Sequence, residues 1–365
     1  MLRAIGLMSG TSLDGIDVAL IETDGERIGA FGPVGYRAYS VDERALLREA
    51  LADSVNLTDR SSRPGALLRA EELVTRAHAE CVGAFLALHT IDRTRIDIVG
   101  FHGQTVLHRP QAKLTVQIGD GKALARMLNL PVVFDFRAAD VAQGGQGAPL
   151  VPVYHRALVD ALNRDGPIVV VNIGGVANIT YVDGEALIAC DTGPGNALLD
   201  DFMLRMTGEA VDRDGRAAER GRVDESWISR ALMLPFFAKP LPKSLDRNDF
   251  AALAIDGMST DDGAATLTAF TAASIARIAS LVPKPPREWI VVGGGANNPT
   301  LMRMLRDKLG SAKVTRGHDL GWSGDAVEAQ AFAFLAVRRF KNLPLTYPGT
   351  TGVPAPMTGG ILAKP

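Results

Sequence analysis

One pattern restricts the fold of this chain more than any other, because it occurs twice. An apolar run stops at a glycine-rich turn and comes back as a second extended run. Residues 2–8 are apolar, Ser9-Gly-Thr-Ser-Leu-Asp-Gly15 is a turn, and residues 16–21 alternate as a strand. In the second half, residues 168–173 are apolar, Gly174 and Gly175 form the turn, and residues 176–182 return. Each copy reads as a β-hairpin. The repeat is one of architecture and not of residues. Further strands are expected at 28–40, 96–101, 114–118, 132–136, 186–190 and 289–292. Helices are expected at 43–52, 65–88, 122–128, 151–162, 197–206, 266–282, from 299 onward, and 325–340. Leu267, Phe270, Ile278 and Leu281 recur at helical spacing and make 266–282 a core-facing helix. Residues 235–250, rich in Pro, Lys and Asp, read as a loop. This alternation predicts an α/β protein with helices packed on sheets. The 365 residues suit two similar lobes with a cleft between them. The flexible Gln143-Gly-Gly-Gln-Gly-Ala-Pro149 is the expected junction.

Charge and cysteine content exclude several classes. The formal net charge is −2, so no global field favours nucleic acid or an anionic membrane. The two cysteines, Cys81 and Cys190, are far apart in apolar surroundings and make neither a metal motif nor a disulfide framework. Residues 1–8 lack the length and flanks of a signal peptide, and no apolar run is long enough to span a bilayer. The expected compartment is the cytoplasm.

Three glycine turns end apolar strands, where a phosphate or ribose can approach backbone N–H groups closely. The first spans Gly10, Thr11, Ser12, Leu13, Asp14, Gly15, Ile16 and Asp17. It fits a phosphate loop, with Asp14 or Asp17 holding Mg²⁺ directly or through water; an ordinary hairpin turn with surface aspartates is the alternative. The second holds Asn172, Gly174, Gly175 and Asn178. The third, Gly293, Gly294, Gly295 and Asn297, joins a strand to a helix and suits a nucleoside. No G-x-x-x-x-G-K-[ST] and no opening G-x-G-x-x-G occurs, so neither a P-loop nor a dinucleotide fingerprint is present. Asp191, before the Gly193-Pro194-Gly195 turn, is the candidate general base. Asn196 lies closer to the next helix and is the better cap. His102 and Thr105 follow a strand, and Arg137 follows another. Arg137 either clamps a carboxylate or phosphate or pairs with Asp140. Glu328 opens the last helix, where a carboxylate also suits the helix dipole.

With these blocks placed, the chain resembles the anhydro-N-acetylmuramic acid kinases from end to end. The matching segments are Gly6-Leu-Met-Ser-Gly-Thr-Ser-Leu-Asp-Gly-Ile-Asp17, Phe101-His-Gly-Gln-Thr105, Gln117-Ile-Gly-Asp120, Asp135-Phe-Arg-Ala-Ala-Asp140 and the 143–150 glycine segment. Asn172-Ile-Gly-Gly-Val-Ala-Asn178, Asp191-Thr-Gly-Pro-Gly-Asn196, Pro242-Lys-Ser244, Gly293-Gly-Gly-Ala-Asn297 and Glu328-Ala-Gln-Ala-Phe332 complete the set. The resemblance implies the two-lobed actin/hexokinase/Hsp70-like (ribonuclease H-like) ATPase fold with a central cleft. Its lobes would be 1–138 plus 326–365, and 139–325. It implies ATP with Mg²⁺ and a homodimer; from the net charge and the lack of a long apolar run, neither nucleic-acid nor membrane partners are expected. The resemblance implies hydrolytic opening of a 1,6-anhydro sugar with phosphorylation of the released O6, in cell-wall recycling. Asp191 would activate water, and His102, Thr105, Arg137 and Glu328 would contact the sugar. Three rivals are a conventional sugar kinase on the same fold, a non-catalytic ATP-driven switch, and an inactive binder of cell-wall fragments.

Overall fold

A computed structural model describes residues 1–245, 250, 253, 255, 257–324 and 326–365. The expected helix start at Asp325 and residues 246–249 of the expected loop lie outside the described residues. The chain divides into two compact units, Met1–Asn163 with Asp325–Pro365, and Arg164–Gly324.

In the first unit the strands are β1 (Leu2–Met8), β2 (Gly15–Thr23), β3 (Ile28–Ala38), β4 (Ile98–Phe101), β5 (Gln104–Arg109), β6 (Leu114–Ile118) and β7 (Val132–Phe134). The main sheet runs β3-β2-β1-β4-β7, with Ile361–Ala363 added antiparallel beside β7. β1, β2 and β3 are antiparallel neighbours, while β4 and β7 run parallel to β1. β5 and β6 form a separate two-stranded hairpin. β5 was not expected, and neither was the strand Ile361–Ala363.

Helix Val327–Phe340 lies flat on this sheet. A Cβ added at Gly6 in β1 would stand 1.7 Å from the Ala329 carbonyl oxygen, and one at Gly100 in β4 would stand 2.0 Å from that of Phe332. Backbone meets backbone there, and only glycine permits the approach. Helix Leu67–Leu88 helps to close the unit's main core with Leu73, Val74 and Phe85. Helix Val41–Ser54 starts at a capping box, Ser40 with Glu43. Residues 139–163 pack in this unit: Thr351 Oγ1 donates to Asp140 Oδ2 at 2.6 Å, and Tyr154 Oη to Gln330 Oε1 at 2.8 Å.

The second unit holds β8 (Ile168–Ile173), β9 (Val176–Asp183), β10 (Ala186–Pro194), β11 (Glu288–Val292) and β12 (Lys313–Arg316) in the order β10-β9-β8-β11-β12. β8, β9 and β10 are antiparallel neighbours; β11 is parallel to β8, and β12 to β11. The strand order of the first unit is thus repeated. Helix Thr260–Ala276 sits between two cores, giving Leu267 and Phe270 to one and Ala272 and Ile275 to the other. It begins six residues before the expected start, at the Ser259 cap, and a 3-10 turn, Arg277–Ser280, follows it. Leu281, expected in the core, is 40% exposed because it lies beyond that turn. The expected loop 235–250 contains a short helix, Pro235–Ala238. Among the described residues, no helix is long and apolar enough to cross a membrane.

Candidate active site

In the first unit the β1–β2 turn closes with Leu13 in the left-handed region (φ 58°), its N–H donating to the Gly10 carbonyl at 3.3 Å. The Leu13 and Ile16 side chains enter the core, so these two can offer a ligand only backbone. Thr11, Ser12 and Asp14 are exposed. Ser12 Oγ and the Gly15 N–H both donate to Asp14 Oδ1, at 2.6 and 3.0 Å. Asp17 is half-buried on β2, opposite Met8.

The segment after β4 braces this turn. Ser9 Oγ donates to the Gly103 carbonyl at 2.9 Å, and Gln104 Nε2 donates to the Gly10 carbonyl at 3.0 Å. His102 is buried, with Nδ1 3.2 Å from the Ser9 carbonyl. Its Nε2 is 3.0 Å from Arg137 Nη2. Arg137 Nη1 donates to the Gly147 carbonyl at 2.8 Å. The alternative pairing of Arg137 with Asp140 is not formed. Asp140 accepts instead from the Gly147 N–H and from Thr351, both at 2.6 Å. Burial pulls the Arg137 guanidinium down to about 10, with the charges of Glu328 and then Asp140 acting the other way. Thr105 on β5 accepts from Gln117 Nε2 at 3.2 Å, and Glu328 is exposed in the first turn of its helix.

Beside His102 opens a cavity of about 430 Å³, lined among others by Arg60, Arg63, Gln117, Asp120 and Asp135. Asp135 is left-handed (φ 55°), and its Oδ2 pairs with Arg60 at 2.5 Å. Sequence reasoning gave Arg60 and Arg63 no role, since they sit in a polar loop with no motif around them.

In the second unit Asn172, Asn178 and Asp191 form one row across β8, β9 and β10. Directly paired residues share a sheet face, so the three polar side chains stand together. The ladder then slips at a bulge between Asp191 and Gly193. The Gly195 N–H donates to the Gly175 carbonyl at 2.9 Å and the Asn196 N–H to that of Gly174 at 2.8 Å, which joins the two glycine turns. Asn196 is the N-cap of helix Ala197–Thr207, but its side chain makes no cap bond; Nδ2 donates to the Ile173 carbonyl at 3.4 Å. Asp191, half-buried on its strand, accepts the Leu245 N–H at Oδ2 over 2.7 Å. Burial lifts its carboxyl to about 6, against the lowering effect of that bond. Such a carboxylate is poised to take a proton near neutral pH.

The glycines fall into two kinds. A Cβ on Gly174 or Gly175 would come no closer than 3.7 or 3.6 Å to its surroundings, and one on Gly294 no closer than 3.7 Å. Protein packing leaves room there for a side chain, as in a cradle for a ligand. At Gly195, Gly293 and Gly295 a Cβ would fall within 2.2–2.4 Å of its neighbours, so those glycines serve the fold. Asn297 is exposed at the end of the third turn, and Asn298 caps helix Pro299–Leu309.

Two units of one strand order, each with a glycine turn between its first two strands, define the actin/hexokinase-like ATPase class. A family model described as anhydro-N-acetylmuramic acid kinase matches residues 2–364. Proteins of that name from Nitrobacter winogradskyi (67% identical), Rhodopseudomonas palustris (66%) and Bradyrhizobium diazoefficiens (66%) align over 100% of both chains. The chain belongs to the anhydro-N-acetylmuramic acid kinase family.

Proposed function

We propose that this chain is an ATP-dependent kinase that opens the 1,6-anhydro bridge of 1,6-anhydro-N-acetylmuramic acid with water and phosphorylates O6. The products are N-acetylmuramic acid 6-phosphate and ADP, and the setting is cytoplasmic cell-wall recycling by a homodimer. The observation that carries this reading, beside family membership, is Asp191: a carboxylate lifted toward neutrality at a strand bulge, next to two joined glycine turns.

Asp191 takes a proton from water as the water oxygen bonds to C1. The C1–O6 bond breaks, and its electron pair stays on O6. O6 then attacks the γ-phosphorus, the bond to the β-phosphate oxygen breaks, and ADP leaves. Phosphoryl transfer needs mainly alignment and charge neutralisation. In the first unit, Gly10–Asp17 receives phosphate, while His102, Thr105, Arg137 and Glu328 form the sugar side. Arg137 has no ion-pair partner within 4.0 Å among the described residues and is the group to meet the lactyl carboxylate. In the second unit, Gly174 and Gly175 receive phosphate, and Gly294 and Asn297 receive the nucleoside, with Gly293 and Gly295 packing the turn that carries them.

Magnesium fits the oxygen donors of Asp14 and Asp17. Among the described residues no group of three His, Cys, Asp or Glu could hold a metal ion. Two carboxylates suit an ion that keeps several waters and binds phosphate oxygens. When bound, it neutralises phosphate charge.

A coupled ADP-release assay tests the reading with three sugars: the anhydro sugar, N-acetylmuramic acid and N-acetylglucosamine. ADP release with the anhydro sugar alone is expected. Faster release with either reducing sugar would make this a conventional sugar kinase.

A further inference from the structure

Pro242-Lys243-Ser244 has no part in the chemistry above, yet it runs beside the strand that carries Asp191. The Asp191 N–H donates to the Lys243 carbonyl at 2.9 Å, and two residues on the Leu245 N–H donates back to Asp191 Oδ2 at 2.7 Å. Residues 243–245 therefore form a strap that grips Asp191 by both backbone and carboxylate. The Leu245 bond leaves one face of the carboxylate fixed, as a base must be if it is to meet a bound water in one orientation.

What anchors the strap is unusual. Lys243 is only 6% exposed. A buried ammonium is rare and costly unless something holds it. No carboxylate lies within ion-pair distance of it among the described residues. Its Nζ donates to the Phe236 carbonyl at 3.3 Å and lies 4.6 Å from the Phe236 ring centroid and 5.8 Å from that of Phe237. Both rings belong to the aromatic cluster that includes Phe250 and Phe270. Phe237 also reaches the other side of the Asp191 bulge, 3.5 Å from where a Cβ on Gly193 would stand. An uncharged side chain would fill this space without the desolvation cost. What the cation adds is direction: it pins the Lys243 main chain to a rigid aromatic floor.

We propose that Lys243 is a positioning residue for the catalytic base, holding the 243–245 strap so that the Leu245 N–H orients the Asp191 carboxylate. The proposal rests on the reading of Asp191 as that base. Lys243 does not touch substrate; it acts through Leu245.

The test uses the full-length enzyme with Lys243→Met, which keeps the stem and removes the charge, and Leu245→Pro, which removes the strap's N–H together with the leucyl side chain that packs on the aromatic cluster. Both should lower kcat by roughly ten- to a hundredfold, the scale of a misplaced catalytic group. KM for ATP and for the anhydro sugar should stay within about threefold, since neither variant alters the surfaces assigned to them. In an Asp191→Asn background, with its residual rate, neither change should cost anything further. If Lys243→Met does not fold, Lys243→Gln, which keeps a donor for the Phe236 carbonyl, carries the same comparison. A parental kcat in folded Lys243→Met and Leu245→Pro overturns the proposal. So does an undiminished loss in the Asp191→Asn background. A parental rate in Asp191→Asn alone would instead overturn the role of Asp191, and the two failures are distinct.

Discussion

His102 receives a hydrogen bond from Arg137: guanidinium Nη2 donates to imidazole Nε2 at 3.0 Å. That direction places the ring proton on Nδ1, which donates to the Ser9 carbonyl at the edge of the phosphate turn. Burial first, and the Arg137 charge second, pull the imidazole down to about 3, so it stays neutral at any working pH. His102→Phe keeps a ring against Phe332, 4.7 Å away between centroids, and deletes the acceptor. KM for the sugar should rise about tenfold, consistent with a hydrogen bond to a charged group worth about 1.5–3 kcal/mol. Steady-state kinetics with each substrate varied is the check. An equal rise in KM for ATP would place the main duty of His102 at the Ser9 turn.

Arg137→Ala should weaken the anhydro-muramyl substrate more than an analogue lacking the lactyl carboxylate. The difference expected for one charge-assisted bond is roughly ten- to a hundredfold in kcat/KM. Equal losses on the two compounds would show that Arg137 does not read that carboxylate.

The two kinds of glycine separate ligand from fold. Gly174→Ala adds a methyl to a place where nothing lies within 3.7 Å, so the thermal midpoint should hold while KM for ATP rises at least about tenfold. Gly195→Ala drives a methyl to 2.2 Å from the Gly174 carbonyl oxygen and should cost about 1–3 kcal/mol of stability. Thermal melts of both variants, with and without ATP, make the comparison. A Gly174→Ala protein of parental ATP affinity would remove that turn from the phosphate site.

Asp191 gives a pH prediction with a definite sign. Its carboxyl titrates near 6 when folded and near 3.8 when ordinary. As the base it must be ionised, so kcat should climb through about pH 6. Stability runs the opposite way. Between those two values the folded protein holds a proton the unfolded chain has lost, so stability falls as pH rises from 4 to 6. Asp191→Asn, which can still accept from Leu245, should be more stable than the parent at pH 7 by about 1–3 kcal/mol. The gain should vanish below about pH 4. The same variant should lose turnover by roughly 10²–10⁴. In ¹⁸O-water the parent should place label at C1 at early times and none between C6 and phosphorus. Label absent from C1 would mean that water is not the nucleophile there.

The central apolar strands Leu2–Met8 and Ile168–Ile173 could be read directly from their mostly apolar runs, and Leu114–Ile118 from its alternation of Leu114, Val116 and Ile118 with Thr115 and Gln117; all three match at both ends. β5 escaped because Gln104, Thr105, His108 and Arg109 are polar, and its two core residues, Val106 and Leu107, are adjacent and so show no strand alternation. Ile361–Ala363 escaped because three residues carry no periodicity; its place is set by β7, over two hundred residues earlier in the chain. The early start of helix Thr260–Ala276 was marked by Ser259 and two acidic residues, but Gly263 and its alanines and threonines hid the apolar stripe. The site residues stood out as polar groups at the ends of strands. Their mutual bonds did not, since His102 and Arg137 lie 35 residues apart and Asp191 and Leu245 lie 54 apart.

Helix Val327–Phe340 rests on Gly6 and Gly100, and this fixes an order of events on the ribosome. The strands it covers emerge early, but at ~5–20 residues per second the helix follows Gly100 by about 230 residues and roughly 10–50 s. The whole of Arg164–Gly324 is made in the interval and can fold first. During that wait the nascent sheet carries a bare strip of backbone and apolar side chains, which is the surface a chaperone would shield. A chain released early, after residue 324, would carry an intact second unit on a first unit that never closes.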